Sequence, residues 1–158
     1  MPSGTRRDLA TAVVTNAAGQ SVLYAIGGRT LTGGSLSRVQ AYNAATNTCS
    51  SQLDVYDPVT NSWSTRAAMP LRRWMAAGAT LGAKLYVVGG FQENADGSIV
   101  GAVRTTSVYH PATDSWTNKA PMPTARSRIA ASRVVVNGKA RLEVVGGPGP
   151  GNNLAFVP

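Results

Sequence analysis

Three arginines set the first chemical question. Arg7, Arg73 and Arg126 each follow a Met-Pro pair by a few residues, after Met1-Pro2, Met69-Pro70 and Met122-Pro123. A guanidinium presents a planar fork of donors that matches a carboxylate bidentately, so arginines recurring at one position could form an electropositive rim for an acidic ligand. The same fork can instead bond loop carbonyls and tie neighbouring segments together. Both roles are open at this point. Trp74 stands beside Arg73 where the other two copies carry Asp8 and Ser127, which makes it a further contact candidate. Arg29, Phe91 and Gln92 directly follow paired glycines in polar, loop-like stretches of the kind that carry binding residues. Phe91 is there either as an interface anchor or as a cover over local packing.

Other chemistry finds little support. The single histidine, His110, sits beside Pro111 in a turn-like stretch and reads as a turn residue. One histidine and one cysteine leave no ligand spacing for a metal, and no disulfide within the chain. Cys49 lacks a neighbouring base and orienting group, so an inert thiol is expected. There is no G-x-S-x-G elbow, and the Gly-rich stretches "LTGGSLS" and "GGPGPG" open no helix that could cradle a phosphate. No cofactor is expected.

The totals narrow the partners. A formal net charge of +8, from 15 Lys and Arg against 7 Asp and Glu, favours acidic groups on whatever binds. The arginines are scattered and no basic run interleaves with aromatics, which disfavours nucleic acid. A length of 158 residues and a hydrophobic share of 43% suit a globular fold with its own core. The 17 glycines and 9 prolines predict frequent turns and argue against long helices. No stretch approaches the roughly 18 apolar residues of a membrane helix, and the opening "MPSGTRRDLATAVV" lacks a signal-peptide core. No compartment is assigned.

The elements that must position these residues are written repeatedly. "VYDPVTNSW" at 55–63 returns as "VYHPATDSW" at 108–116. "LYAIGG", "LYVVGG" and "LEVVGG" end at Gly28, Gly90 and Gly147. Aligned on these landmarks, the chain divides into units at 1–68, 69–121 and a shorter 122–158. The runs before Gly-Gly are apolar on both alternating faces and too short for helices, so they predict strands covered on both sides. Pro58 with Asp57, Thr60 and Asn61 predicts a turn, with Tyr56 and Trp63 flanking it on paired strands. The second copy keeps that logic with Tyr109 and Trp116, and Asn137-Gly138 predicts a two-residue hairpin.

Each full unit thus yields four strands: a at 9–14 and 75–81, b at 21–26 and 84–88, c at 53–56 and 105–110, d at 62–66 and 115–118. Strand a carries small residues and the large aromatics fall in c and d, a taper that fits wedges of a radial array. Paired glycines after an apolar strand, then Tyr, then Trp seven residues later, resemble the kelch repeat over nearly the whole chain. The resemblance implies an all-β fold of kelch-type propeller blades, with the d–a and b–c loops sharing a binding face.

The first unit departs from the pattern through an insert at about 29–50, within which "AYNAATNTC" (41–49) competes with Tyr56 for strand c. The Tyr56 assignment is preferred, because Tyr56 and Trp63 match the motif fully. Two blades and part of a third also fall short of the four to eight that close a propeller. Further blades from a longer chain, a homo-oligomer or an open array would each account for that. The resemblance implies a non-catalytic recognition module binding a protein or glycan partner with acidic groups. The alternative is a fragment of a sugar-acting propeller enzyme, similar to galactose oxidase or a sialic-acid mutarotase, whose catalytic residues lie mostly outside this chain.

Overall fold

The computed structural model describes residues 6–7, 10–15, 19, 21–26, 29–30, 53–57, 59–94, 96, 98–148 and 153–156. The regular elements among them are all strands, with no helix: β1 (Arg6–Arg7), β2 (Ala10–Thr15), β3 (Ser21–Ile26), β4 (Arg29–Thr30), β5 (Leu53–Asp57), β6 (Ser62–Arg66), β7 (Arg73–Trp74) and β8 (Ala77–Leu81). The order continues with β9 (Lys84–Val88), β10 (Phe91–Glu93), β11 (Ile99–Ala102), β12 (Thr106–His110), β13 (Ser115–Lys119), β14 (Ile129–Val136), β15 (Lys139–Gly146) and β16 (Asn153–Phe156).

Three antiparallel sheets follow one plan. The first runs β2-β3-β5-β6, the second β8-β9-β12-β13, and the third β14-β15-β16. Each main strand lies beside its sequence neighbour, as partial kelch propeller blades require. Leu23 opposite Tyr56 and Tyr24 opposite Val55 place Tyr56 on the third strand of the first sheet. That settles the competition with Tyr42 in favour of Tyr56; residues 31–52, with Tyr42 and Cys49, lie outside the described residues.

The apolar run of β9 behaves as its two-sided pattern requires, whereas in β15 Leu142 and Val144 are buried but Val145 is 39% exposed, since that face lacks a neighbouring sheet among the described residues. In β9, Leu85 and Val87 are fully buried and Tyr86 and Val88 nearly so, because β9 is covered on both faces. Leu85, Val87 and Tyr109 pack against Val14, Leu53 and Val55 of the first sheet. On the other face, Ala79, Tyr86 and Val108 meet Leu142 of the third. Burying each such Leu or Val stabilises by about 1.5–3 kcal/mol. The inner strands β2, β8 and β14 are neighbours, with β8 between the other two. Ala77, Gly78 and Ala79 let three backbones converge there, which is the taper read in the sequence. Every residue of β6, at the outer edge, is exposed.

Turn chemistry sets the ends. Asn137 and Gly138 take φ of 52° and 74° in the two-residue hairpin between β14 and β15. Asn61 and Asp114, each just before a Ser-Trp, take φ of 50° and 47°, a left-handed conformation that short polar side chains tolerate best. Strand a of the second unit begins at Ala77 rather than at 75, because Met75 has φ of 55° and breaks the extended run.

Candidate functional site

In each antiparallel sheet the links into the innermost strand and the loops after Gly-Gly emerge at one end. At that end of the second sheet, β7, β10 and β11 form a small sheet of their own in the order β11-β10-β7. Phe91 pairs with Trp74 and Ala102, and Gln92 with Arg73 and Gly101. The loop after Gly89-Gly90 is therefore a hairpin, with its return strand β11 on the open edge. Asn94, Asp96 and Ser98, between the two strands, bond one another. Asp96 Oδ1 accepts from Ser98 N–H at 2.9 Å and Ser98 Oγ at 2.7 Å, and Asn94 Nδ2 donates to Ser98 Oγ at 3.0 Å. Hydrogen bonding to Ser98 holds the Asp96 carboxyl below its ordinary pKa.

The base of this hairpin is stitched to the link that follows the sheet. Val103 N–H donates to Gly90 O, Met122 N–H to Arg104 O, and Arg126 N–H to Val103 O, at 2.8 to 3.2 Å. The two kinds of loop thus form one continuous face.

The arginines do not open onto that face. Arg73 is 0% exposed and Arg126 is 1% exposed. Arg73 Nη1 donates to the carbonyls of Thr105 at 3.1 Å and Gly89 at 3.3 Å, while Nη2 donates to Ser107 Oγ at 2.8 Å. Arg126 Nη1 reaches Gly146 O at 2.9 Å. Gly89 and Gly146 are the first members of two Gly-Gly pairs, so each arginine holds the glycine carbonyl of its own sheet. Of the two roles open from the sequence, this geometry is that of a tie. Burial pushes the Arg73 guanidinium down to about 10, which leaves it charged at neutral pH.

The register also moves the first member of the trio. Thr30 lies opposite Arg6 and Arg29 opposite Arg7, just as Gln92 lies opposite Arg73 and Phe91 opposite Trp74. Ala10 faces Ile26 as Ala77 faces Val88, which gives the same offset. Arg6, rather than Arg7, is the counterpart of Arg73. Arg7 takes the place of Trp74 and Arg29 that of Phe91. Three residues separate Met-Pro from Arg6, against two before Arg73 and two before Arg126, and only strand pairing shows which arginine of the first unit is the equivalent one.

Trp74 and Phe91 stack with centroids 5.1 Å apart and planes at 27°. Trp74 is buried and Phe91 half-buried, with the Arg128 guanidinium 5.8 Å from the Phe91 centroid. Neither ring is an open platform. Gln92 is half-buried on the central strand of the small sheet.

What the face does offer is Ile99 and Val100, 57% and 55% exposed on β11. The sequence reading missed them. The signal was present: Asp96-Gly97 is a hairpin dipeptide, and an Ile-Val pair follows it in an otherwise polar loop. Arg104, just past the hairpin, and Arg128 are also exposed at this end.

Residues 72–123, which span the small sheet and the second blade, match the Kelch motif family. Kelch-like protein 26 of Danio rerio is 34% identical over 125 residues, 79% of this chain and 17% of that protein. A Kelch-like protein of Aspergillus terreus is 37% identical over 82 residues, 52% of this chain and 18% of that protein. An F-box/kelch-repeat protein of Arabidopsis thaliana is 34% identical over 74 residues, 47% of this chain and 15% of that protein. The chain spans less than a fifth of the length of each of these relatives.

Proposed function

Because this chain belongs to the kelch-repeat family, we propose that it is a protein-interaction module that docks a partner protein on the hairpin of β10 and β11. The observation that carries this is the pair Ile99 and Val100, two large aliphatic side chains more than half exposed on a strand whose other neighbour is fixed. Adjacent exposed aliphatics on a rigid support suit an interface anchor. The edge of β11 adds unpaired backbone groups that an extended segment of a partner can meet. Exposed Arg104 and Arg128 nearby favour acidic side chains around that apolar contact.

A protein partner is favoured over a glycan. Sugar rings stack on open aromatic faces, whereas Trp74 is buried and Phe91 is stacked on it. A further blade from the rest of a longer chain is proposed to cover the first sheet. Trp63, 37% exposed, holds the position whose counterpart in the second sheet, Trp116, packs against the core shared with the first sheet and bonds the Ala67 carbonyl.

The test is capture of partners on the immobilised chain, compared between the wild type and the double variant Ile99→Asp with Val100→Asp. The hairpin reading expects identified partners to be lost by about tenfold or more with the melting curve little changed, since both residues are exposed. Partners retained in full by the double variant would refute docking at this hairpin.

A further inference from the structure

At the opposite end of the sheets, by the Gly82-Ala83 turn, the three inner strands border an open cleft of about 330 Å³. Val13, Val14 and Leu81 supply apolar wall, Thr15 and Thr80 supply hydroxyls, and the Gly82-Ala83 turn closes one side. Arg133 of β14 lines the remaining side.

Arg133 is out of place in the repeat. Val13 pairs with Leu23, Thr80 with Leu85, and Arg133 with Leu142, and those three leucines are equivalent. One position thus reads Val, Thr, Arg across the three sheets. Packing is satisfied by a residue no larger than valine in two of them. Arg133 is exposed, and among the described residues neither a hydrogen bond nor an ion pair engages it. Nearby Arg141 differs, being paired with Glu143. Arg73 and Arg126 are buried as ties.

We propose that this cleft is a second binding site, which takes a carboxylate on a short aliphatic stem. The guanidinium fork of Arg133 receives the carboxylate, the threonine hydroxyls complete its hydrogen bonds, and Val13, Val14 and Leu81 cover the stem. The mouth of the cleft admits either a free dicarboxylic acid or a glutamate side chain of a partner. It lies at the far end of the blades from Ile99 and Val100, so the two sites can be loaded together.

The experiment is NMR titration of the full chain with three probes: glutarate, a capped peptide with one internal glutamate, and inorganic phosphate. A ligand of so few atoms binds in the millimolar range, so each titration runs to about 50 mM. The expected result is saturable shifts of the Arg133 Nε–H and of the amides of Val13–Thr15 and Thr80–Ala83 with glutarate or the peptide. Arg133→Gln should weaken that binding by about tenfold, with Arg133→Lys between the two because it keeps charge and loses the fork. Both variants change an exposed side chain, and unaltered spectra elsewhere report that the fold is kept. Tighter binding of the peptide identifies the source as a partner's side chain, and tighter binding of glutarate identifies a free acid. Phosphate binding as tightly as either carboxylate probe, no saturable shift at all, or an affinity untouched by Arg133→Gln would each overturn the assignment.

Discussion

Trp116 reaches out of the second sheet and donates its indole N–H to the carbonyl of Ala67, 2.8 Å away and 49 positions earlier in the chain. Asp114, two residues before it, accepts the N–H of the same Ala67 at 2.8 Å and the hydroxyl of Tyr109 at 2.7 Å. Tyr109 and Trp116 are directly paired and their rings lie 5.2 Å apart. The Tyr, Asp and Trp of the repeated hairpin therefore form one device. It fixes both polar groups of a linker residue leading out of the first sheet.

Removing the indole loses packing and a hydrogen bond together. Trp116→Ala is expected to cost about 3 kcal/mol, the low end for a Trp truncation because the ring is only half-buried. Trp116→Phe keeps most of the packing and should cost about 1 kcal/mol for the lost bond. Urea denaturation measures both, and a Trp116→Ala loss under about 1 kcal/mol would contradict this packing.

Asp114 makes the device sensitive to acid. Partial desolvation raises its pKa, but the bonds from Ala67 N–H and Tyr109 Oη, with the charge of Arg66, outweigh this and hold the carboxyl below its ordinary value. A depressed carboxyl stabilises the fold in full above its unfolded value of about 3.9, and that stabilisation is lost as pH falls through the lower folded value. The wild type should therefore lose more stability between about pH 5 and pH 2 than Asp114→Asn does. Parallel stability curves for the two proteins would show that the carboxylate has no such role.

Arg73 tests the tie. Arg73→Met leaves the carbonyls of Gly89 and Thr105 without their side-chain donor, at an expected cost of about 3 kcal/mol. Arg73→Lys keeps the charge but cannot span the same acceptors, so it should recover less than half of that loss. Full recovery by lysine in thermal melts would point to charge alone.

Gly82 and Gly89 separate backbone strain from close approach. Their φ values are 58° and 59°, so any side chain is strained equally at both. A Cβ at Gly82 meets nothing within 4 Å, whereas one at Gly89 would lie 2.5 Å from the Arg126 carbonyl oxygen. Gly82→Ala should cost about 1 kcal/mol, the left-handed penalty alone. Gly89→Ala should cost at least about 2 kcal/mol more, because the third sheet must shift. Equal losses in chemical denaturation would mean that the sheets do not pack this closely.

Much of this was legible from one chain because repetition multiplies weak signals. The predicted strands at 84–88 and 62–66 coincide with β9 and β6, since glycine pairs and Pro-containing turns delimit them chemically. The pairing of Tyr56 with Trp63 and of Tyr109 with Trp116 followed from turn length. The arginines show the limit. Their recurrence was visible, but a fork aimed at a ligand and a fork aimed at carbonyls read alike in sequence. Arg7 stood in the sequence alignment where strand pairing puts Arg6, because spacing from a landmark does not reveal a one-residue change within a link.

By itself, the order of residues determined the repeat, the strands, the turns and the two-sided burial of β9. These depend on neighbours within a few positions and on alternation along a strand. Tertiary structure alone decided which residues reach solvent. It sent Arg73 inward to Gly89 and Thr105, left Ile99 and Val100 outside, and set Arg133 in the lining of the same cleft as Thr15 and Thr80. Exposure depends on what a neighbouring sheet covers, and those sheets join residues tens of positions apart.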